Sequence, residues 1–266
     1  MNKTRTLIKK IIYKVLGEKT YRKAYVKGKV LDIKKGVLDE VENGFLHHFI
    51  HSNSTVLDIG ANYGHYAVDM SKLCYNGLVI AFEPVPFTFN VLKNVVSKFK
   101  YGKIQIYHNA VSNTKSQLEM VVPLLDFGAP NTGVAFIGAT KTKNSKTVKV
   151  NSIVIDDFNI PNKVDFIKID IEGHEPSAFE GMKKLLKSDK PTILIEFSFP
   201  CLKRANFEPD IFSKKIMNEF GYVFTSVDKD KLSIVKTETP GDGYYFLIHK
   251  DKINTFKAII KDESFI

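Results

Sequence analysis

At 266 residues, with 44% hydrophobic and 26% charged content, the chain has material for one large core and none of the bias of a fibrous or disordered sequence. Its net charge of +10 resembles a nucleic-acid footprint until it is located: residues 1–29 hold ten lysines and arginines against Glu18 alone, and so carry +9 of it. The near-neutral remainder lacks tryptophan and weighs against a nucleic-acid face, while two cysteines, Cys74 and Cys201, exclude a disulfide framework. No apolar run reaches the length of a membrane span or forms a signal peptide, so a cytoplasmic protein is expected.

The basic segment carries Leu7, Ile8, Ile11, Ile12, Val15 and Leu16 at helical spacing, flanked by lysines. Such a stripe most often docks a helix on its own domain, and that use is expected here; the other is a helix lying peripherally on an anionic membrane surface. A second helical stretch follows, with Phe45, Leu46, Phe49 and Ile50 on one face, placed over the cofactor cleft or the sheet edge. His47, His48 and His51 lie within it, but adjacent histidines point to different faces and no carboxylate spacing matches, so no metal is expected there. The organisation is a basic helical extension over 1–52 and one α/β domain over 53–266.

That domain opens on Thr55-Val-Leu-Asp-Ile-Gly-Ala-Asn-Tyr-Gly64. Val56, Leu57 and Ile59 form a buried strand, Gly60 and Gly64 permit a sharp turn close to a ligand, and Tyr66, Ala67, Met70 and Leu73 continue as a helix. The string D-x-G-A-x-x-G meets neither the dinucleotide nor the P-loop pattern, and Asp58 suits a ligand with positive charge, a sulfonium or an amine. Twenty-five residues on, Glu83 ends a second apolar strand, where doubly wound folds place a carboxylate on ribose hydroxyls. A third strand ends at Asn109, which either hydrogen-bonds adenine or caps a turn.

Short alternating stretches over about 118–150 read as an antiparallel excursion, decorated by Lys141, Lys143, Lys146 and Lys149. Then comes Val164-Asp-Phe-Ile-Lys-Ile-Asp-Ile-Glu-Gly-His-Glu175, a central strand on which Lys168, Asp170 and Glu172 alternate along one face. Charge on a buried strand is costly unless paired or used. Glu175 stands at the next helix N-terminus, and Glu196 ends another apolar strand. Two closing strands without a long helix between them predict an antiparallel finish to a parallel sheet.

Four motifs in order, Asp58-Ile-Gly-Ala-Asn-Tyr-Gly64, Phe82-Glu-Pro84, Asn109-Ala-Val-Ser112 and Lys168-Ile-Asp-Ile-Glu-Gly-His-Glu175, resemble the FkbM family of S-adenosylmethionine-dependent methyltransferases. The resemblance implies a doubly wound, Rossmann-like sheet of seven strands with an antiparallel last strand, and O-methylation of a sugar, glycan or related small molecule. It further implies that Asp58, Gly60, Asn62 and Gly64, with Ala61 in the same loop, line the methionine part of S-adenosylmethionine. By the same implication Glu83 holds the ribose, Asn109 and Ala110 the adenine, and Asp170 stands beside the methyl group. An alcohol is a weak nucleophile, so either Asp170 with Glu172, His174 or Glu175 supplies a base, with Lys168 neutralising, or Asp170 and Glu196 hold Mg2+ or Mn2+. The base reading is favoured. The alternative class is an RNA-binding methyltransferase, or a cofactor-binding protein without turnover, that grips phosphates through residues 1–29.

Overall fold

The computed structural model describes residues 3–36, 41–138, 144–228 and 233–260; Lys141 and Lys143 of the basic run lie outside them. The chain opens with α1 (Lys3–Lys34), which bends at Gly17, and a 3-10 turn at Val41–His48. There follow β1 (Thr55–Ile59), α2 (His65–Leu73), β2 (Leu78–Phe82), α3 (Pro86–Val96) and β3 (Lys103–Tyr107). The excursion holds β4 (Ala110–Val111), β5 (Gln117–Pro123), β6 (Phe136–Ile137) and β7 (Ser145–Ile153). The chain returns through β8 (Val164–Ile169), α4 (Glu175–Gly181), α5 (Lys183–Asp189) and β9 (Thr192–Phe197). It continues with α6 (Phe199–Arg204), α7 (Pro209–Asn218), β10 (Tyr222–Asp228), β11 (Ser233–Lys236) and β12 (Gly243–His249).

The main sheet runs β11-β10-β12-β9-β8-β1-β2-β3, eight strands where seven were expected. The additional strand is β11, four residues paired antiparallel with β10 at the sheet edge, too short for its alternation to register as a strand. From β3 to β9 the pairing is parallel, whereas β12 runs antiparallel to both β9 and β10. Every residue of β1 and β2 is buried because both faces of the sheet are covered. On one face Phe179, Leu186, Phe212 and Ile216 from α4, α5 and α7 pack on Ile167, Ile193 and Ile195. On the other, Tyr66 and Met70 of α2 join Phe45, Leu46, Phe49 and Ile50, so the second helical stretch covers the sheet rather than the cleft. Phe49 meets Phe246 at 4.8 Å between ring centroids.

The excursion is an antiparallel β6-β5-β7 arrangement, tied back to β4 by a short parallel pairing. It meets α1 through an aromatic group, Tyr13, Tyr21 and Phe127 with Phe87 of α3. The basic stripe departs from expectation. Tyr21 is buried and Ile12 of the stripe is half-buried against the same cluster, yet Leu7, Ile8, Ile11, Val15 and Leu16 are 51–72% exposed, so α1 docks only by one edge of the face its apolar spacing marks. The bend at Gly17, with φ at 76°, turns the first stretch of the helix out of line with the docked second one.

Candidate active site

In an open parallel sheet the ligand crevice lies beyond the carboxyl ends of the strands. Here the ends of β1, β2 and β8 are joined by backbone contacts. Gly60, at φ 82°, passes so close to β8 that a Cβ would stand 2.0 Å from the Asp170 carbonyl oxygen. Asn62, at φ 49°, turns its amide to donate to Glu83 Oε2 at 2.9 Å, and the Val85 amide donates to Glu83 Oε1 at 2.9 Å. Burial pushes the Glu83 carboxyl up to about 7 despite those two amides.

A cleft of about 610 Å³, open solvent included, runs from this acid to the end of β8. Its walls include Gly60, Asn62, Glu83, Asn109, Ala110, Asp170, Glu172 and His174, and the excursion contributes Met120, Thr132, Gly133, Ala135 and Ile137. Asn109 also donates to the Asn151 carbonyl at 3.4 Å, which ties β3's end to β7. On the other side of the glycine loop a second opening of about 440 Å³ is lined by Gly60, Ala61, Asn62, Tyr63, His65, Tyr66, Lys168, Asp170 and Tyr244. The two openings share Gly60, Asn62 and Asp170.

Two predicted cofactor residues line neither opening. Asp58 is buried beneath the loop, where the Ala67 amide at the start of α2 and the nearby Lys168 and His65 side chains favour its charge. Burial lifts it to about 6, opposed by the charge of Lys168, its register partner on β8. Gly64 begins α2 at φ 91°, and a Cβ there would press on Leu92.

The charged end of β8 separates into roles. Lys168 is buried and donates to the Gly60 carbonyl at 3.2 Å and to Asp170 Oδ2 at 3.3 Å, with Tyr66 beneath it at 5.2 Å. Burial penalises its charge, but Asp170 and Asp58 outweigh that and hold the ammonium protonated. Asp170 accepts a second hydrogen bond, from Tyr244 Oη at 3.3 Å. Burial alone would raise Asp170; Lys168 and a hydrogen bond from Glu196 more than offset it and keep this carboxyl ionised. Glu196 is pushed far up by burial and the adjacent Asp170 charge, so the pair carries one proton between two carboxyls. Ligand oxygens of Asp170, Glu172 and Glu196 lie within 4.8 Å of one another, a set of hard donors.

Glu172, at φ 57°, is held by Arg204 Nη2 at 3.2 Å from its Oε2, and Arg204 in turn stacks on Phe136 of the excursion at 4.0 Å. His174 lines the first cleft, bonded through Nε2 to Ser112 Oγ at 2.9 Å, and burial lowers it to about 4. Glu175 does not reach either opening. Its Oε1 accepts the Ile171 amide at 2.9 Å, which closes the turn after β8, and burial raises it to about 7. Sequence reasoning missed Tyr244, Arg204 and the excursion residues. Their partners lie 32 to 74 residues away, and no local pattern marks them.

Together the parallel sheet, the glycine loop at the end of β1, the acid at the end of β2 and the proton-sharing pair beyond β8 define an α/β protein with a cleft at the carboxyl ends of its strands, lined by ionisable groups. The family model of the methyltransferase FkbM domain matches residues 58–224, more than half of the chain, from the end of β1 into β10. The chain belongs to the FkbM methyltransferase family.

No curated protein matches it. Among solved structures it is similar to an FkbM methyltransferase of Methylobacillus flagellatus, at 17% identity and TM-score 0.48, over 74% of this chain and 44% of that one. It thus spans less than half the length of that relative. It is also similar to a precorrin-6y C5,15-methyltransferase of Geobacter metallireducens, at 15% identity and TM-score 0.43, over 78% and 85% of the chains. A SAM-dependent methyltransferase of Aquifex aeolicus is 18% identical, with TM-score 0.42, over 82% and 98%. Likenesses this distant add nothing to the residues of the site.

Proposed function

We propose that the protein is an S-adenosylmethionine-dependent O-methyltransferase acting on a hydroxyl of a sugar, glycan or related small molecule. The observation that carries this reading is the pair of openings that meet at Asp170: one leads from Glu83 and Asn109, the other is walled by Tyr63, Tyr66 and Tyr244. A nucleoside fits the first, where Glu83 offers carboxylate lone pairs and Asn109 an amide. Aromatic faces beside a carboxylate and a lysine suit the apolar face and hydroxyls of a sugar ring in the second.

S-adenosylmethionine supplies an electrophilic methyl group when bound. The chain's own task is to align the acceptor oxygen and remove its proton. Asp170 is ionised, faces both openings and is oriented by Lys168 and Tyr244, so it holds the acceptor hydroxyl and takes the proton as the oxygen is methylated. Glu196 keeps a proton beside it, so the pair carries one negative charge, matched by Lys168. A divalent cation has three carboxylates in its favour and the Lys168 ammonium, 3.3 Å from Asp170, against it. The general-base reading is therefore preferred.

Isothermal titration with S-adenosylmethionine and S-adenosylhomocysteine tests the cofactor, with binding of both expected; binding of neither sinks the proposal. Turnover on a sugar acceptor that is undiminished by EDTA is expected, and its abolition would transfer the role to a metal held by Asp170, Glu172 and Glu196.

A further inference from the structure

The first stretch of α1 is fastened to the domain along one side. Tyr13 donates from Oη to the Gly128 carbonyl at 3.1 Å and sets its ring edge-on against Tyr21 at 5.2 Å. At 100° per residue, Leu7, Ile11 and Val15 form one ridge and Ile8 lies beside it, while Tyr13 falls on the far side. This ridge is in water: Leu7 is 57% exposed, Ile11 52% and Val15 72%. Lys10 and Lys14, both exposed, border its Leu7 edge. Beyond the bend at Gly17, Lys19, Arg22 and Lys23 line a groove of about 530 Å³, open solvent included, with Val26 and with Asn94 of α3; among the described residues no acid lines it.

An apolar ridge edged by lysines and followed by a basic groove matches a surface that is apolar below and anionic above. A second copy of the chain is a poor occupant. It would bring two segments together that each carry +9 over residues 1–29. No helix among the described residues is long and apolar enough to cross a membrane, so the geometry is that of a helix lying on one. We propose that α1 docks the protein on an anionic bilayer surface, with Leu7, Ile8, Ile11 and Val15 in the acyl boundary and Lys10, Lys14 and the Lys19–Arg22–Lys23 groove at the lipid phosphates. The same helix reaches the second opening of the active site, where Lys29 Nζ stands 3.9 Å over the Tyr63 ring.

The test is flotation of the full chain with vesicles of phosphatidylcholine alone and of phosphatidylcholine and phosphatidylglycerol in equal parts. Binding to the anionic vesicles and not to the neutral ones is expected, weakening as salt is raised. Ile11→Glu with Val15→Glu should lower the partition coefficient by about tenfold or more, since two apolar anchors become anions. Lys10→Gln with Lys14→Gln should lower it about fivefold per charge removed, and Arg22→Gln with Lys23→Gln similarly. All three variants should keep the unfolding midpoint of the parent, because Ile11, Val15, Lys10, Lys14 and Lys23 are exposed and Arg22 lies on the groove. Absence of binding to the anionic vesicles overturns the proposal, as does binding that the Ile11→Glu, Val15→Glu variant leaves intact. A parent dimer by light scattering that this variant converts to monomer also overturns it and assigns the ridge to a second copy.

Discussion

The two ends of the cleft are each built around a carboxylate, buried at Glu83 and half-buried at Asp170, and they are held in opposite ways. At the β2 end Glu83 is gripped by two backbone amides, from Asn62 and Val85, so its position follows from the course of the main chain. Beyond β8, Asp170 is held by side chains alone, by Lys168, Tyr244 and Glu196. A carboxylate pinned by amides is a rigid ligand post. One that shares a proton with a neighbour can change protonation without moving the backbone, which proton transfer requires. Glu175, held by the Ile171 amide and shut away from both openings, belongs with the first kind although it lies five residues from Asp170.

Replacing residues at each end should separate binding from chemistry. Asp170→Asn is the largest expected effect: turnover should fall about 10²–10⁴-fold, the range for a positioned acid or base, while S-adenosylhomocysteine still binds by titration calorimetry. Loss of binding in equal measure would merge the two ends into one function. Next is the half-buried His174. Its folded pKa is depressed, so its contribution to stability is full above about pH 6.5 and is lost as pH falls towards about 4. His174→Gln should remove up to about 3 kcal/mol of that acid sensitivity, read as the difference between parent and variant unfolding curves across this window.

Glu83→Gln presents an amide nitrogen to one of two donors. It should cost about 1–3 kcal/mol of stability, measured in denaturant, and weaken cofactor binding more than it slows turnover at saturation. The smallest effect is expected from Tyr244→Phe, which removes one of several hydrogen bonds to Asp170. Turnover should drop about tenfold or a little more, with the acidic limb of the pH–rate profile moved upward as Asp170 loses a donor to its charged form. An unmoved profile would place Tyr244 in acceptor binding instead.

Most of the ligand-binding end was legible in the residues because its signals are local. A buried apolar run, glycines at a turn and an acid at the next strand end all lie within a few residues of one another, and parallel strands bring such ends together automatically. Gly60, Asn62, Glu83, Asn109 and Ala110 therefore line the first cleft. Asp58 carried the same signal and lies beneath the loop, because its side of β1 faces Lys168 on β8. The basic helix shows the opposite limit. Its apolar spacing was visible, but which side it docks depended on Tyr13, Tyr21 and the excursion's Phe127, a contact that no helical period encodes.

By itself, then, the sequence determined the α/β class, the glycine loop, the acid at the end of β2 and the charged end of β8, since each is a short-range pattern of burial and turn chemistry. Only the tertiary structure decided that the sheet has eight strands and that β12 enters between β9 and β10, setting Tyr244 opposite Glu196 and within reach of Asp170. It also decided that the excursion walls the cleft, and that the lysine-flanked ridge of α1 stays in water. The physical reason is that strand order and helix docking answer to packing summed over the whole molecule, which can leave one apolar stripe outside while residues far apart in the chain become neighbours without any local mark of it.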